Sequence, residues 1–374
     1  MGLWIIWGIW MLAILYLLVF FEKARRALTH KDYDKKNIPP PQSVPSEGVS
    51  IIVCAHNELA NLQQLLPLLY QQNYDNYEII VVEDCSTDGS LDFLLAEKSK
   101  NPKLRIVWLR HRPRHIRGKK YALSLGIRAA RHDRLLLTDA DCRPLSDIWV
   151  AGMASQLKEP HQIVLGYSPY QPESGLLNTY IRYETLLTGG MYLSAALNGH
   201  PYMGVGRNLA YRKSLFMQHK GFCQHLHITG GDDDLFVNRH ATAENTTTVT
   251  AKSCQVYSIP KTSWRQYYRQ KIRHLSVGRY YKKKDQRWLG LFSASHFIFW
   301  IGLFGLIPGE HEPIFIISGL MTKWFSQFLF LKTTTTKLKD PINLALLPIL
   351  DFLYVIYYVV LGIRALSSNN TEWN

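Results

Sequence analysis

RLLLTDADCRP, residues 134–144, joins an apolar run to two aspartates that are separated by one residue. Uninterrupted leucines are typical of a parallel strand that is buried on both faces. Similar runs occur earlier, at VSIIVCA (49–55), YEIIVVED (77–84) and LRIVWL (104–109). Helical patterns separate these runs, and strands that alternate with helices predict an α/β layered fold with right-handed crossovers.

Polar and mostly acidic clusters follow three of the four predicted strands: HNE (56–58), EDCSTDG (83–89) and DADC (139–142). Because ligands bind beyond the carboxyl ends of the strands in such sheets, the clusters are expected to face one crevice. Each cluster alone could simply cap the helix that follows. Gathered carboxylates repel one another unless a cation holds them together, so Asp139 and Asp141 are candidate ligands of Mg²⁺ or Mn²⁺.

The overall composition limits the possible partners. A net charge of +14 over 374 residues predicts attraction to an anionic partner: nucleic acid, anionic lipid or a phosphorylated substrate. The chain shows no recognition helix and no aromatic base-stacking pattern, so nucleic acid is not an expected partner. Five scattered cysteines without a CxxC spacing argue against a zinc site or a disulfide framework and indicate a reducing compartment.

The two ends of the chain are apolar. Residues 2–21 carry no charge and are long enough to cross a bilayer, and the basic EKARR that follows places the next residues in the cytoplasm. Three further apolar stretches lie at 291–309, 313–331 and 342–363. The simplest topology therefore has four spans, with both termini on the outer side of the membrane. Interruption by polar side chains leaves open that residues 291–331 lie at the interface.

Two ionisable residues lie about ten positions into predicted spans. Lys323 and Asp351 would be costly in a membrane unless they are paired, so we expect them to face the helix bundle and pair. The predicted domains are an anchor at 1–22, a basic and proline-rich linker at 23–47, a cytoplasmic catalytic domain at 48–285 and a membrane region at 286–374. The predicted location is a membrane, specifically the bacterial inner membrane.

Four blocks, VSIIVCAHNE, YEIIVVEDCSTDGS, RGKKYALSLGI and LLLTDADC, resemble the successive motifs of membrane-bound family 2 glycosyltransferases. The resemblance extends over about residues 48–280. It implies a GT-A fold, in which helices flank a Rossmann-like mixed sheet, together with terminal membrane helices. It also implies that nucleotide-sugar binding involves Ala55, Asn57, Glu58, Glu83, Asp84, Gly118, Lys119, Asp139 and Ala140, with Asp139 and Asp141 at the metal. Glu83 departs from the family pattern, which more often has aspartate at that position.

The second half contains further matches. ITGGDDDLFVNR (228–239) resembles the block that supplies the general base, and its spacing implies Asp232, with Asp233 as the alternative. A helix start would equally favour several acids, because they complement the helix dipole. The resemblance also assigns Arg207 and Asn208 to the acceptor or diphosphate, and Gln270, Arg273 and His274 to a block where tryptophan is usual in place of His274.

The resemblance therefore implies an inverting membrane glycosyltransferase. It would move a sugar from a nucleotide donor, UDP-linked in the simplest case, to a lipid-linked or glycan acceptor, and membrane lipids would be its other partners. A non-catalytic nucleotide-sugar-binding scaffold is the alternative. The basic stretch 109–120 is open to three readings: a solvated loop, a membrane-surface contact, or a segment that directs Lys119 to the donor diphosphate.

Overall fold

The computed structural model describes residues 2–30, 47–113, 118–306 and 313–367. The strands are β1 Val49–Ala55, β2 Tyr77–Asp84, β3 Leu104–Leu109, β4 Arg134–Asp139, β5 Cys142–Pro144, β6 Ile163–Gly166, β7 Leu209–Arg212, β8 Thr246–Val249 and β9 Val256–Ser258. The helices are α1 Gly2–Thr29, α2 Leu59–Tyr70, α3 Ser90–Lys100, α4 Lys120–Ala129, α5 Trp149–Ala154, α6 Leu176–Leu197, α7 Lys213–Gln218, α8 Asp234–His240, α9 Trp264–Val277, α10 Lys283–Leu306, α11 Pro313–Leu338 and α12 Leu347–Ser367.

Seven strands form one mixed sheet in the order β3-β2-β1-β4-β7-β6-β8. The first four strands are parallel to one another and lie where the apolar runs predicted them. β7 runs antiparallel to both of its neighbours, and β5 pairs with β9 in a separate antiparallel ribbon. The predicted α/β fold with a mixed sheet is confirmed.

Alternate side chains of the central strands enter two hydrophobic cores, because successive residues of a strand point to opposite faces. Ile51 and Ile79 pack in the core that contains Leu65 of α2. Ile52 and Ile80 belong to the other core, which is continuous with the terminal helices through residues such as Trp10. One face of the sheet and the terminal helices therefore share an apolar core, whereas the other face packs in a separate core.

Among the described residues, four helical segments are long and apolar enough to cross a membrane: Trp4–Thr29, Lys283–Leu306, Pro313–Leu338 and Leu344–Gly362. α1 continues past the predicted anchor boundary at residue 22. The proline-rich stretch of the linker and the connector EHE (310–312) lie outside the described residues.

Small residues let these helices approach one another. The Trp10 indole donates a hydrogen bond to the Phe299 carbonyl at 2.9 Å. A Cβ added to Gly302 or Gly319 would lie 2.4 or 2.3 Å from the Trp10 ring. Gly302 of α10 and Gly319 of α11 thus leave the space that the Trp10 ring occupies, and small residues commonly allow such close packing between membrane helices.

Lys323 and Asp351 pair, as predicted, in the interior of the helix bundle. Both side chains are fully buried, and the Lys323 ammonium also donates to Gln327 Oε1 at 2.7 Å. Gln327 Nε2 donates to Asp351 Oδ1 at 3.0 Å and to the Tyr183 hydroxyl at 2.9 Å. The network therefore joins α11, α12 and α6, and Trp300 of α10 adds a donor to Asp351 at 3.1 Å.

Lys323→Met is expected to lower the free energy of unfolding by about 3 kcal/mol, because it leaves the Asp351 carboxylate buried without its cation. The double variant Lys323→Met/Asp351→Leu should recover most of the loss, since neither charge remains. Thermal or denaturant unfolding of the detergent-solubilised chain measures this. Lys332→Met, at an exposed position of the same helix, is the matched control. A double variant no more stable than the single one would contradict the pairing argument.

Candidate active site

The acidic clusters that follow β1, β2 and β4 meet at one edge of the sheet. β1 lies between β2 and β4, so Ala55 is in register with Glu83 and Cys54 with Asp139. Parallel neighbours bring their carboxyl ends to the same edge, which is where ligands bind in sheets of this kind. The crevice expected from the sequence is therefore present.

The carboxylates at the end of β2 are buried and already have protein partners. Glu83 Oε1 accepts a hydrogen bond from the Ser86 backbone N–H at 2.5 Å. Asp84 Oδ1 accepts from Arg112 Nε at 2.7 Å, and Asp84 is 1% exposed. Arg112 was not among the residues predicted from the sequence, although it belongs to the basic stretch 109–120. At least this arginine of the stretch is directed into the fold.

The loop after β1 is bound to the loop after β2. Asn57 adopts a positive φ of 57°, and its side-chain oxygen accepts from the Thr87 backbone N–H at 2.8 Å. Glu58 Oε2 accepts from Asn61 at 2.6 Å, and burial raises the Glu58 pKa. Asn57 and Glu58 line a cleft of about 260 Å³. Ala55 and Ala140 are buried, so only their backbone groups could contact a ligand.

Asp139, Asp141 and Cys142 form a group whose potential ligand atoms lie within 4.8 Å of one another. Burial and the nearby Asp139 raise the pKa of Asp141. Burial also acts to raise the pKa of Asp139, but Lys119, Arg207 and Arg273 together outweigh it and lower that pKa. Two convergent carboxylates suit a hard cation such as Mg²⁺ or Mn²⁺, which prefers oxygen ligands. The donor set therefore fits the predicted metal.

Lys119 connects the predicted metal pair to the predicted general base. Its ammonium lies 2.7 Å from Asp139 Oδ1 and 3.1 Å from Asp232 Oδ2. Burial lowers the Lys119 pKa, but the two carboxylates outweigh that effect and raise it. A permanently charged amine at this point offers a partner to an anionic ligand in the crevice.

The three aspartates before α8 have different surroundings. Asp233 caps the helix, because its Oδ1 accepts from the Asp234 N–H at 2.8 Å and its Oδ2 from the Gly206 N–H at 2.6 Å. Asp234 accepts from the Tyr281 hydroxyl at 2.8 Å. Asp232 Oδ2 lies 3.1 Å from the Lys119 ammonium. Of the two candidates for general base, Asp233 is therefore bound to backbone N–H groups, whereas the recorded partner of Asp232 is a side chain.

Lys120 is a site-supporting residue that the sequence reasoning missed. Its buried ammonium donates to three backbone carbonyls, those of His225, Ile228 and Gly230, at 2.8, 2.7 and 2.5 Å. A Cβ on Gly118, at φ +70°, would lie 2.2 Å from the Thr229 carbonyl oxygen. The segment that leads into Asp232 is therefore held on both sides of Lys119. The doubled lysine of RGKK was the available signal, but nothing local distinguishes a buried lysine from an exposed one.

Lys120→Met is expected to lower kcat of the proposed transfer about tenfold with little change in the KM for the donor, because small displacements of a catalytic group are costly. Loss of three carbonyl partners should also reduce the unfolding free energy by about 1–3 kcal/mol. Steady-state kinetics and unfolding measure the two effects. Lys213→Met is the matched control, since Lys213 also binds backbone carbonyls, at 3.1 and 2.6 Å. Equal kinetic effects in both variants would contradict a positioning role for Lys120.

Asn208 is not available to an acceptor, so its sequence-based assignment is wrong. It is fully buried and donates to the carbonyls of Tyr167 and Cys254 at 2.8 and 2.9 Å. Its Oδ1 accepts from the Trp149 indole at 3.0 Å. The amide thus holds neighbouring segments together, and three internal bonds leave it no donor for a ligand.

Arg207 and Gln270 meet at Tyr170, a residue that the sequence did not single out. The Arg207 guanidinium carbon lies 4.4 Å from the centre of the Tyr170 ring, and Gln270 Nε2 lies 3.4 Å from its hydroxyl. Burial raises the pKa of Asp139 and Lys119 lowers it, and these are the larger effects. Arg273, one turn along α9 from Gln270, is close enough to Asp139 to add a smaller lowering of the same pKa. His274 is exposed. α9 therefore brings Arg273 to the acidic crevice and Gln270 to Tyr170.

Residues 50–220 match the family model described as Glycosyl transferase family 2. Over 95 residues the chain is 32% identical to a poly-β-1,6-N-acetyl-D-glucosamine synthase of Staphylococcus epidermidis, covering 25% of this chain and 22% of that protein. The synthase of Staphylococcus aureus strain COL is 27% identical over 95 residues, 25% of this chain and 22% of that protein. The matched segment thus spans less than a quarter of these curated relatives.

One solved structure has the same fold over nearly its whole length. The mannosyltransferase PcManGT from Pyrobaculum calidifontis, solved in complex with GDP-Man and Mn²⁺, is 18% identical with a TM-score of 0.63. The match covers 91% of this chain and 99% of that one. The chain therefore shares the fold of this solved structure, and the GT-A fold predicted from the sequence is confirmed.

Proposed function

We propose that the chain, whose residues 50–220 match the model of glycosyl transferase family 2, is an inverting glycosyltransferase that uses a nucleotide sugar and a divalent cation. The observation that carries the proposal is the position of Lys119 between Asp139 and Asp232. A group that binds the donor diphosphate and a group that accepts a proton must be neighbours in a single displacement. The Lys119 amine contacts Asp139, a candidate for the diphosphate and metal side, and Asp232, the candidate that accepts the proton.

The protein side of the mechanism assigns one task to each charged group. Asp232 accepts the proton of the acceptor hydroxyl as that oxygen attacks the anomeric carbon, because a sugar hydroxyl is a poor nucleophile while protonated. Lys119 and Arg273 stabilise the negative charge of the departing diphosphate. Asp139 and Asp141 would hold the cation, which supplies Lewis-acid stabilisation of the leaving group when bound. Attack and departure on opposite faces invert the anomeric centre.

The donor is proposed to be a UDP sugar. The curated relatives are named for a polymer of N-acetylglucosamine, and the solved neighbour was determined with GDP-Man and Mn²⁺. The neighbour supports a nucleotide-linked sugar and a divalent cation, and the names of the relatives support a sugar of the N-acetylglucosamine type. The choice between UDP and GDP depends on the pocket around Asp84 and the Asn57 loop, so it has to be tested directly.

The acceptor is proposed to be lipid-linked or a glycan, reached from the cytoplasmic face of a membrane, the inner membrane in a bacterial cell. Four membrane-compatible helical segments and the basic residues after the apolar part of α1 support this orientation. The exposed His274, where the related block has tryptophan, removes an indole on which a sugar could stack. This supports transfer of one or a few sugars.

A donor panel tests the proposal. The full-length chain in detergent would be incubated with UDP-N-acetylglucosamine, UDP-glucose or GDP-mannose, with Mn²⁺ or Mg²⁺ and membrane extract as acceptor. Release of nucleoside diphosphate and mass spectrometry of the product identify the donor and the acceptor. Asp232→Asn serves as the background. Diphosphate release that never exceeds this background, for any donor, would instead indicate a non-catalytic binding protein.

A further inference from the structure

An apolar cleft separate from the active site lies between α9, α12 and α6. Its volume is about 380 Å³. Leu353, Ile356 and Val360 of α12 form one wall, and Trp264 and Tyr268 of α9 form the other. The outer parts of this wall are open, since Ile356 is 44% and Val360 49% exposed. α12 belongs to a segment that is long and apolar enough to cross a membrane, so in a bilayer crossed by this segment the wall of the cleft would adjoin lipid.

The cleft also contains polar groups without protein partners. Tyr180 and Tyr357 line it, and neither hydroxyl has a hydrogen-bond partner among the described residues, although both oxygens are buried. Arg265 lines the same cleft, is exposed, and makes no salt bridge with any described residue. Buried polar atoms without partners are uncommon in native proteins. Because both phenol oxygens are buried, the exposed guanidinium of Arg265 is the group at this cleft that can reach a ligand, and an apolar wall beside a guanidinium suits an amphiphile with an anionic head.

We propose that this cleft binds an anionic phospholipid of the surrounding membrane. An acyl chain would lie along Leu353, Ile356 and Val360, while the phosphate would accept hydrogen bonds from the exposed guanidinium of Arg265. A nucleotide or a free sugar is polar over most of its surface and does not match a cleft whose one wall is Leu353, Ile356 and Val360. The charge of Arg265 selects an anionic lipid over a zwitterionic one, because a guanidinium binds phosphate strongly and a nearby choline opposes it.

The position of the cleft on α9 separates it from catalysis. An α-helix turns by about 100° per residue, so Trp264 and Tyr268 share one face and Arg273 lies on the opposite face. The face with Arg273 looks towards the acidic crevice, whereas the face with Trp264 packs on Tyr180 and Tyr357 at ring distances of 5.6 and 6.2 Å. The bound lipid is therefore a structural ligand that contacts α9 on the face opposite Arg273. The proposal does not depend on the transferase activity.

Trp264 provides the probe for the experiment. The chain would be placed in phosphatidylcholine vesicles that contain a small fraction of a lipid with brominated acyl chains, which quench tryptophan on contact. The brominated lipid is phosphatidylglycerol in one series and phosphatidylcholine in the other. Subtracting the signal of Trp264→Phe isolates the Trp264 contribution. Half of the Trp264 fluorescence is expected to be quenched at a mole fraction of brominated phosphatidylglycerol about fivefold lower than that of brominated phosphatidylcholine. This is the preference that one basic side chain near an anionic lipid confers.

The charge of Arg265 should account for that preference. Arg265→Gln is expected to make the two brominated lipids equivalent, whereas Arg128→Gln, at another exposed position on α4, should leave the fivefold difference intact. Native mass spectrometry gives an independent readout: one phosphatidylglycerol is expected to remain bound to the wild type and to be lost from Arg265→Gln. Equal quenching by the two lipids in the wild type, or a preference that survives Arg265→Gln, overturns the proposal.

Discussion

Asp232→Asn is expected to reduce the rate of sugar transfer about 10³-fold while leaving donor binding nearly unchanged, because general-base catalysis contributes about 10² to 10⁴ to such reactions. The amide has almost the size of the carboxylate but cannot accept the proton of the acceptor. Lys119 would keep its other carboxylate partner, Asp139, at 2.7 Å. Single-turnover transfer measures the rate, and titration with the nucleotide sugar measures donor binding.

Asp233→Asn is the matched control and decides between the two candidates. Asparagine caps helices about as well as aspartate, and its oxygen can still accept from a backbone N–H. Asp233 accepts from the N–H groups of Asp234 and Gly206, and asparagine can keep only one of these bonds because its amide nitrogen is a donor. The substitution should therefore lower the free energy of unfolding by about 1–3 kcal/mol, while reducing the transfer rate much less than Asp232→Asn does. A large loss in Asp233→Asn with near-normal transfer by Asp232→Asn would reverse the assignment.

Asp141→Asn is expected to weaken Mn²⁺ binding and to lower the transfer rate at least about 10³-fold at a fixed metal concentration, since a Lewis acid at a leaving phosphate supplies several kcal/mol. Burial and Asp139 already raise the Asp141 pKa, which shows that two negative groups are confined together there. Electron paramagnetic resonance of added Mn²⁺ measures binding without reference to activity. Chelation by EDTA should reproduce the loss of rate in the wild type.

The neighbouring thiol distinguishes a hard-metal site from a softer one. Cys142 lies in the same group, but Mg²⁺ and Mn²⁺ prefer oxygen ligands, so Cys142→Ala should leave Mn²⁺ binding nearly unchanged. Alanine fills this fully buried position without adding a polar atom. If Cys142→Ala weakened Mn²⁺ binding as much as Asp141→Asn, the assignment of ligands would be wrong.

Local pattern was sufficient for much of the fold. The four apolar runs became the strands β1 to β4 because strands buried on both faces must be apolar throughout, and that requirement is visible in the sequence. Pairing of Lys323 with Asp351 was predictable for a similar reason, since two buried charges in apolar helices need each other. The antiparallel insertion of β7 between β4 and β6 was not visible, because strands of three or four residues carry little periodicity.

The errors and omissions in the candidate site have a common cause. Asn208 looked like a ligand donor, yet its hydrogen bonds go to segments around residues 149, 167 and 254. Lys120 looked like one more surface charge, yet it binds carbonyls more than a hundred residues away. The groups around a polar side chain come from distant parts of the chain. Residue type and spacing alone therefore cannot distinguish a side chain that binds a ligand from one that makes hydrogen bonds inside the protein.

The chain's order of residues was enough to determine the parallel strands, the acidic clusters at their ends and the apolar helices, because burial and backbone geometry impose short periodic patterns. Tertiary structure alone decided that Asp233 is a helix cap, that Asp232 faces Lys119, and that an apolar cleft lies behind α9. These depend on hydrogen bonds and contacts between segments far apart in the chain, whose geometry exists only once the whole core has packed.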